Sequence, residues 1–168
     1  MRTLGAPSGP LTSPLDAALE ISQRVALRKP LWRCPKCRRR FANRIQSHAC
    51  GRHDLTHHFR RKPREIRALY EAFARAVRSC GRVTVLPEKT RIAFQVRMSF
   101  AQVTPRNGSL DGHLVLARRI EQPRFRRVES LSARNHVHHF RFSTPADIDA
   151  QFRRWLTEAY AVGEQRHL

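Results

Sequence analysis

The chain has 168 residues, of which 40% are apolar, and it carries a formal net charge of +20. This length suits one ordinary domain with a small accessory module, because single domains run to roughly 100–150 residues. No run of 18 apolar residues occurs, which argues against a membrane-spanning segment, and Met1–Pro10 lacks the apolar stretch of a secretory signal. We therefore expect a cytoplasmic protein that does not associate with a membrane.

The positive charge is concentrated in one part of the chain. Residues 1–27 have no net charge, residues 28–64 carry +12 and residues 65–168 carry +8. A positive field attracts the phosphate backbone of DNA or RNA. The charge distribution therefore indicates that any contact with nucleic acid centres on residues 28–64.

The N-terminal segment, residues 1–30, is predicted to be a disordered or weakly helical tail. Its first 14 residues are rich in Pro, Ser, Gly and Thr, a composition that does not support a packed core.

Residues 31–53 form a predicted zinc-binding module. Cys34 and Cys37 have the C-x2-C spacing with which two thiolates on one turn reach the same ion. Three of the four cysteines of the chain lie within 17 residues, among histidines, and in a reducing compartment this clustering is typical of metal binding rather than disulfides. A module of this size cannot fold on apolar burial alone, and metal binding supplies the missing free energy.

The third ligand is predicted to be His48. Phe41, Ile45 and His48 are spaced i, i+4 and i+7, which predicts a helix over residues 41–48 that places them on one face. The fourth ligand is Cys50 or His53. We favour Cys50, because Gly51 permits the turn that lets it leave the helix, whereas His53 has the H-x4-H spacing of finger modules.

The zinc is expected to be structural. A catalytic site keeps an open position and needs a nearby general base. No Glu occurs in residues 31–64, and Asp54 is explained as the cap of a short helix within residues 54–62, which otherwise form a basic linker. The donors therefore favour a closed site.

Residues 63–168 are predicted to form an α+β domain with a mostly antiparallel sheet of four to five strands, covered by two helices on one face. The first helix begins at Pro63 and ends by Gly81, and the second begins at Pro145 behind Thr144 as its N-cap. Alternating apolar residues and turn signals predict the strands; they are Val83–Leu86, Arg91–Val96, Met98–Thr104, His113–Ala117 and His136–Ser143, with a further short strand around Phe125–Val128.

Five segments resemble bacterial proteins that carry the domain of unknown function 5655. They are Trp32–Cys37, Phe41–His53, Pro87–Phe100, Asn135–Arg141 and the closing helix. The resemblance covers roughly residues 31–168. It implies an α+β domain behind a short zinc-binding segment, and it implies no activity.

A further group of residues bears on function. Basic and histidine side chains near the strands could converge on an anion pocket; they are Lys89, Arg91, Arg97, His113, His136 and His138. No nucleophile elbow, phosphate-binding glycine loop or paired carboxylates occur, so an enzyme is not the favoured interpretation.

The leading hypothesis is a nucleic-acid-associated binding protein that contacts phosphates through its zinc module, with Trp32 or Phe41 available for stacking. The basic residues of the module are Arg33, Lys36, Arg38, Arg39, Arg40, Arg44 and Arg52. Two alternatives remain: an anion-binding or small-ligand domain, enzymatic or not, with a purely structural zinc clasp, and a protein–protein interaction module.

Overall fold

The computed structural model describes residues 29–44, 48, 50, 51 and 53–167. The chain divides into two units, residues 1–30 and residues 31–168, and nearly all of the predicted N-terminal tail lies outside the described residues. The second unit contains a two-stranded ribbon and a six-stranded antiparallel sheet. No helix among the described residues is long and apolar enough to cross a membrane.

The sheet has six strands rather than the four to five that were expected. After the ribbon strands β1 (Trp32–Arg33) and β2 (Arg40–Phe41), the sheet strands are β3 (Thr84–Pro87), β4 (Ile92–Gln95), β5 (Ser99–Pro105), β6 (Leu110–Leu116), β7 (Arg127–Ser132) and β8 (Asn135–Phe142). Their order across the sheet is β3-β4-β5-β6-β8-β7, and every neighbouring pair is antiparallel. The chain returns from the edge strand β7 to insert β8 beside β6.

Two α-helices contribute the apolar face that covers one side of the sheet. Helix α1 spans Arg64–Arg78 and helix α2 spans Ala150–Gly163. Phe73 of α1 lies 5.7 Å from the ring of Phe140 in β8 and 6.2 Å from Phe152 of α2. Each of these side chains, fully removed from water, contributes about 2–3 kcal/mol as an upper bound.

The start of the second helix differs from the prediction. Thr144 precedes a 3-10 helix, Pro145–Asp147, and Asp147 Oδ2 accepts a hydrogen bond from Thr144 N at 2.9 Å, as a capping box requires. Helix α2 begins only after this turn, because Asp149 accepts from Phe152 N at 2.8 Å and acts as a second N-cap.

A 3-10 helix over Leu55–Phe59 precedes helix α1. Asp54 caps it, since its Oδ1 accepts from Thr56 N at 2.9 Å. Phe59 packs 5.0 Å from the ring of Tyr70 in α1, so this turn is attached to the main core.

Candidate metal centre

The C-x2-C motif lies in the turn that joins β1 to β2. Cys34 N donates to Arg39 O at 2.9 Å, and Arg38 N donates to Cys34 O at 2.8 Å. Arg38 has a φ of 62°, a left-handed conformation that non-glycine residues seldom adopt. This tight turn holds the sulfur atoms of Cys34 and Cys37 on the same side.

His48 and Cys50 complete a group of four possible ligands. One ligand atom from each of Cys34, Cys37, His48 and Cys50 lies within 4.8 Å of the others. Cys34 Sγ is 3.8 Å from Cys50 Sγ, and Cys50 Sγ is 3.3 Å from His48 Nε2. Two sulfur atoms bound to one tetrahedral ion at about 2.3 Å lie roughly 3.8 Å apart, so the spacing fits a shared metal ion.

The electrostatics of the group also fit a cation. The amide of Cys37 donates to Cys34 Sγ, and this lowers the pKa of the Cys34 thiol to about 6 against the opposing effect of burial. Burial and the neighbouring sulfur of Cys34 raise the pKa of Cys50. A second thiolate beside the first is unfavourable without a positive charge, which a bound metal ion supplies.

Phe41 was predicted to begin a helix that carries His48, and this prediction is wrong for residues 41–44. Phe41 is in β2, paired with Trp32, and residues 45–47 lie outside the described residues. Its ring is 2% exposed and lies 4.2 Å from the imidazole of His48. Phe41 therefore forms the small core of the module, and it is not available for stacking on a ligand.

His53, the alternative fourth ligand, is not a member of the group of four. Its ring lies beside Gly51, where a Cβ atom would come within 3.3 Å of His53 Nε2. Arg39 donates to Gly51 O at 2.8 Å and so ties the end of the segment to the C-x2-C turn.

The metal module is attached to the sheet through one buried polar contact. Gln95 of β4 is 4% exposed, and its Nε2 donates to Arg40 O at 2.7 Å. Gln95 faces away from the helices, because its neighbour Phe94 packs against Phe73 of α1. The ribbon therefore covers the β4 end of the face that the helices leave open.

The predicted anion pocket is not formed, because the pleat of the sheet separates its histidines. His138 is 0% exposed on the helix side, where its Nε2 accepts from Ile120 N at 2.9 Å and its ring lies 4.8 Å from Phe125. His113 pairs with His139 in register, one position out of phase with His138, and so it lies on the opposite face.

The other members of that predicted pocket have separate partners or none. His136 Nδ1 is 2.8 Å from Ser130 Oγ, Arg91 forms an ion pair with Glu88 at 2.5 Å, and Lys89 is exposed in a turn. Arg97 Nε donates to the side-chain oxygen of Gln165 at 2.9 Å, beyond the end of α2.

The structure instead assembles a different cavity on the open face of the sheet, with a volume of about 300 Å³. Of the predicted site residues that the structure describes, only His113 lines it. Two lining residues that the sequence analysis did not select, His139 and Arg141, could have been found from the alternation of β8, which puts both on the face opposite Phe140. The polar side chains that line the cavity are Gln102, Thr104, Arg106, Asp111, His113, Arg126, His139 and Arg141.

Five basic side chains of the module are exposed in the part of the chain that the structure describes. Among the residues that the structure describes, none of the following five forms an ion pair: Arg33, Lys36, Arg38, Arg40 and Arg44. Arg39 is half-buried, and Arg52 lies outside the described residues.

Comparison with protein families gives one match. The model of the domain of unknown function 5655 matches residues 55–163, which is more than half of the chain but excludes the metal module. The match is shorter than the resemblance over residues 31–168 suggested. No curated protein and no solved structure matches the chain. From Leu55 to Gly163, the chain belongs to the family of the domain of unknown function 5655.

Proposed function

We propose that the protein is a nucleic-acid-associated binding protein, and that its metal module contacts phosphate groups. The observation that carries this proposal is the set of exposed basic side chains on the module that have no acidic partner within the described residues. Unpaired guanidinium groups can bind phosphate without first breaking an internal ion pair.

The α+β domain provides the contrast. There, Arg118 binds Glu158 at 3.0 Å, Arg124 binds Asp149 at 2.6 Å and Arg141 binds Asp111 at 2.6 Å. Many of the arginines in this part of the chain are therefore offset by carboxylates, whereas the positive field around the module is not.

The proposed metal is Zn²⁺ in a structural role. Three thiolates and one imidazole form a donor set that Zn²⁺ prefers, and four protein ligands leave no open position for water. The ion would hold the C-x2-C turn and the segment around His48 together, and so fix the backbone that carries the arginines.

The contacts proposed here position nucleic acid rather than read its sequence. Phosphate contacts carry no sequence information, and the module presents arginine and lysine on a short ribbon rather than on a helix that fits a groove. Trp32 is half-buried, with its ring 6.1 Å from Phe41, and its open side remains available for stacking on an unpaired base.

The test is binding of duplex and single-stranded DNA and RNA oligonucleotides across a salt series. A triple variant, Arg33→Gln with Lys36→Gln and Arg40→Gln, removes three of the unpaired charges. We expect weaker binding and, on duplex DNA, a salt slope that is smaller by about 2–3, since each lost phosphate contact lowers it by roughly 0.9.

The matched control removes the same charge from exposed positions of the α+β domain, with Arg82→Gln, Arg153→Gln and Arg154→Gln. We expect the control to keep the salt slope of the unmodified protein. Equal weakening by both triple variants, or no binding at low salt, would contradict the proposal. A protein partner that remains bound at high salt would instead favour an interaction module.

A further inference from the structure

The open face of the sheet has a built cavity between β5, β6 and β8. Successive side chains of a strand point to opposite faces, so Gln102, His113 and His139, which are cross-strand neighbours, lie side by side away from the helices. They share the cavity of about 300 Å³ with Arg126, which precedes β7.

His113 contributes a half-buried imidazole ring to this cavity. Its ring lies 5.3 Å from that of His139, edge to face, and it has no hydrogen-bond partner among the residues that the structure describes. Burial is the main cause that lowers the pKa of His113 to about 4, and the neighbouring His139 and Arg91 lower it to a lesser degree. At neutral pH it is therefore a neutral imidazole with one nitrogen available as a donor.

His139 is held differently. Its Nε2 lies 2.6 Å from Glu129 Oε1, and Glu129 also binds Arg127. The carboxylate of Glu129 thus fixes the orientation of the ring, and its own charge is offset by Arg127.

The carboxylate that lines the cavity, Asp111, is also offset by arginines. Both oxygens of Asp111 accept hydrogen bonds from Arg141, at 2.6 and 2.8 Å, and Arg106 lies 3.4 Å from Asp111 Oδ2. These contacts lower the pKa of Asp111, with the hydrogen bond from Arg141 as the main cause. Arg126, in contrast, is exposed and has no ion-pair partner among the described residues, so its positive charge is in excess.

We propose that this cavity binds a phosphate group, with Arg126 as the charged partner and His113 and Gln102 as hydrogen-bond donors. A guanidinium fork with neighbouring neutral donors matches the oxygens of a phosphate, which accept several hydrogen bonds at once. The cavity uses no residue of the metal module, so the inference does not depend on the proposed function.

The test is a titration of the full-length, metal-loaded protein followed by the imidazole resonances of its histidines. The probes are inorganic phosphate, a nucleoside 5′-monophosphate and a dinucleotide, which present the same group from three sources. The His113 resonance is identified as the one that is missing from the spectrum of His113→Gln. We expect this resonance to shift saturably as a probe is added. Tighter binding of the monophosphate or the dinucleotide supports a nucleotide source, and equal affinities support free phosphate.

Arg126→Gln removes the charged partner, and we expect it to weaken binding about tenfold or more, as the loss of a charge-assisted hydrogen bond does. The matched control is Arg153→Gln, which removes one exposed charge from α2 and should bind phosphate as the unmodified protein does. Equal weakening by both variants, or no shift of the His113 resonance with any probe, overturns the proposal. The triple variant of the metal module should leave this titration unchanged, which separates the two proposals.

Discussion

The side-chain amide of Gln95 donates a hydrogen bond to the main-chain oxygen of Arg40, which lies 55 residues earlier in the chain. The distance from Gln95 Nε2 to this oxygen is 2.7 Å. It joins the ribbon of the metal module to the open face of the sheet. Because Gln95 is only 4% exposed, water cannot readily replace this contact, and the module is held in one place on β4.

Gln95→Ala should therefore destabilise the protein. It leaves the oxygen of Arg40 without its donor, and a loss of about 1–2 kcal/mol in the free energy of unfolding is expected from one buried hydrogen bond. Urea denaturation measures this change. Gln122→Ala, at an exposed position, is the control and should change stability by less than about 0.5 kcal/mol. If both variants unfold at the same urea concentration, the hydrogen bond from Gln95 does not stabilise the protein.

We expect one Zn²⁺ per chain, measured by mass spectrometry of the native protein. Cys34→Ser and Cys50→Ser should lose the metal, because each removes one of three thiolates, while His53→Ala should retain it. Cys80→Ser is the control, since Cys80 lies at the end of α1, away from the group of four. Full zinc content in Cys50→Ser, together with loss in His53→Ala, would exchange the two residues as fourth ligand.

Chelation tests the role of the metal. If the site is structural, removal of the ion should unfold the ribbon and weaken nucleic-acid binding, while the α+β domain keeps its cooperative unfolding transition. This follows because the main core lies in the sheet and helices, whereas the large apolar side chain that the described part of the module buries is Phe41. Circular dichroism and oligonucleotide binding, before and after chelation and after zinc is restored, measure both effects.

Local spacing was sufficient for much of this architecture. The C-x2-C motif and the i, i+4 periodicity of α1 depend on neighbours in the chain, and both are present in the structure. The edge strand Arg127–Ser132 was predicted around Phe125–Val128, which is too early in the chain and too short. It is largely exposed and interrupted by a bulge between Ser130 and Ser132, so no apolar alternation marks it.

The alternation of side chains along β8 predicts more about the histidines than an open pocket. The alternation in β8 places His138 on the same face as Phe140 and Phe142, which predicts burial rather than an open pocket. Its hydrogen bond to Ile120 N could not be predicted, because it depends on the path of an irregular loop. The short pattern Phe41, Ile45 and His48 is equally compatible with a strand followed by a turn, and three residues cannot distinguish the two.

Stability should fall as the pH is lowered from about 6.5 to 4. The folded-state pKa of His113 is about 4, so in this interval the unfolded chain binds a proton that the folded chain does not. Burial also lowers the pKa of His138, which acts in the same direction. The groups that act on His113 are His139 and Arg91, which disfavour its protonation, and Glu129, which favours it.

The variant His113→Gln isolates the contribution of His113 to this pH dependence. Complete loss of that contribution lowers the free energy of unfolding by about 3 kcal/mol at most, from roughly 1.4 kcal/mol per pH unit. We expect the free energy of unfolding of the variant to depend less steeply on pH between 6.5 and 4. Release of the metal in acid affects both proteins alike. His57→Gln, at an exposed position of the 3-10 helix, should follow the unmodified protein. Parallel curves for all three would show that His113 titrates normally.

Gly163→Ala should destabilise the protein, although the same change within a helix usually stabilises it by about 0.5–1 kcal/mol. The oxygen of Gly163 accepts from the amides of Arg97 and Met98, at 3.1 and 3.0 Å, which fixes the end of α2 against the connection between β4 and β5. An added methyl group would lie 2.7 Å from Cδ1 and 3.0 Å from Cβ of Phe100, whose side chain is fully buried.

Neither partner can retreat without breaking these contacts, so we expect a loss of about 1–3 kcal/mol, as overpacking in a core costs. A double-mutant cycle with Phe100→Ala tests the cause. Alanine removes Cδ1 and Cγ of Phe100, two of the three atoms that the methyl group meets, and Gly163→Ala should therefore cost less in the Phe100→Ala background, by about 0.5 kcal/mol or more. Additive effects of the two substitutions would assign the loss to the helix terminus itself rather than to contact with Phe100.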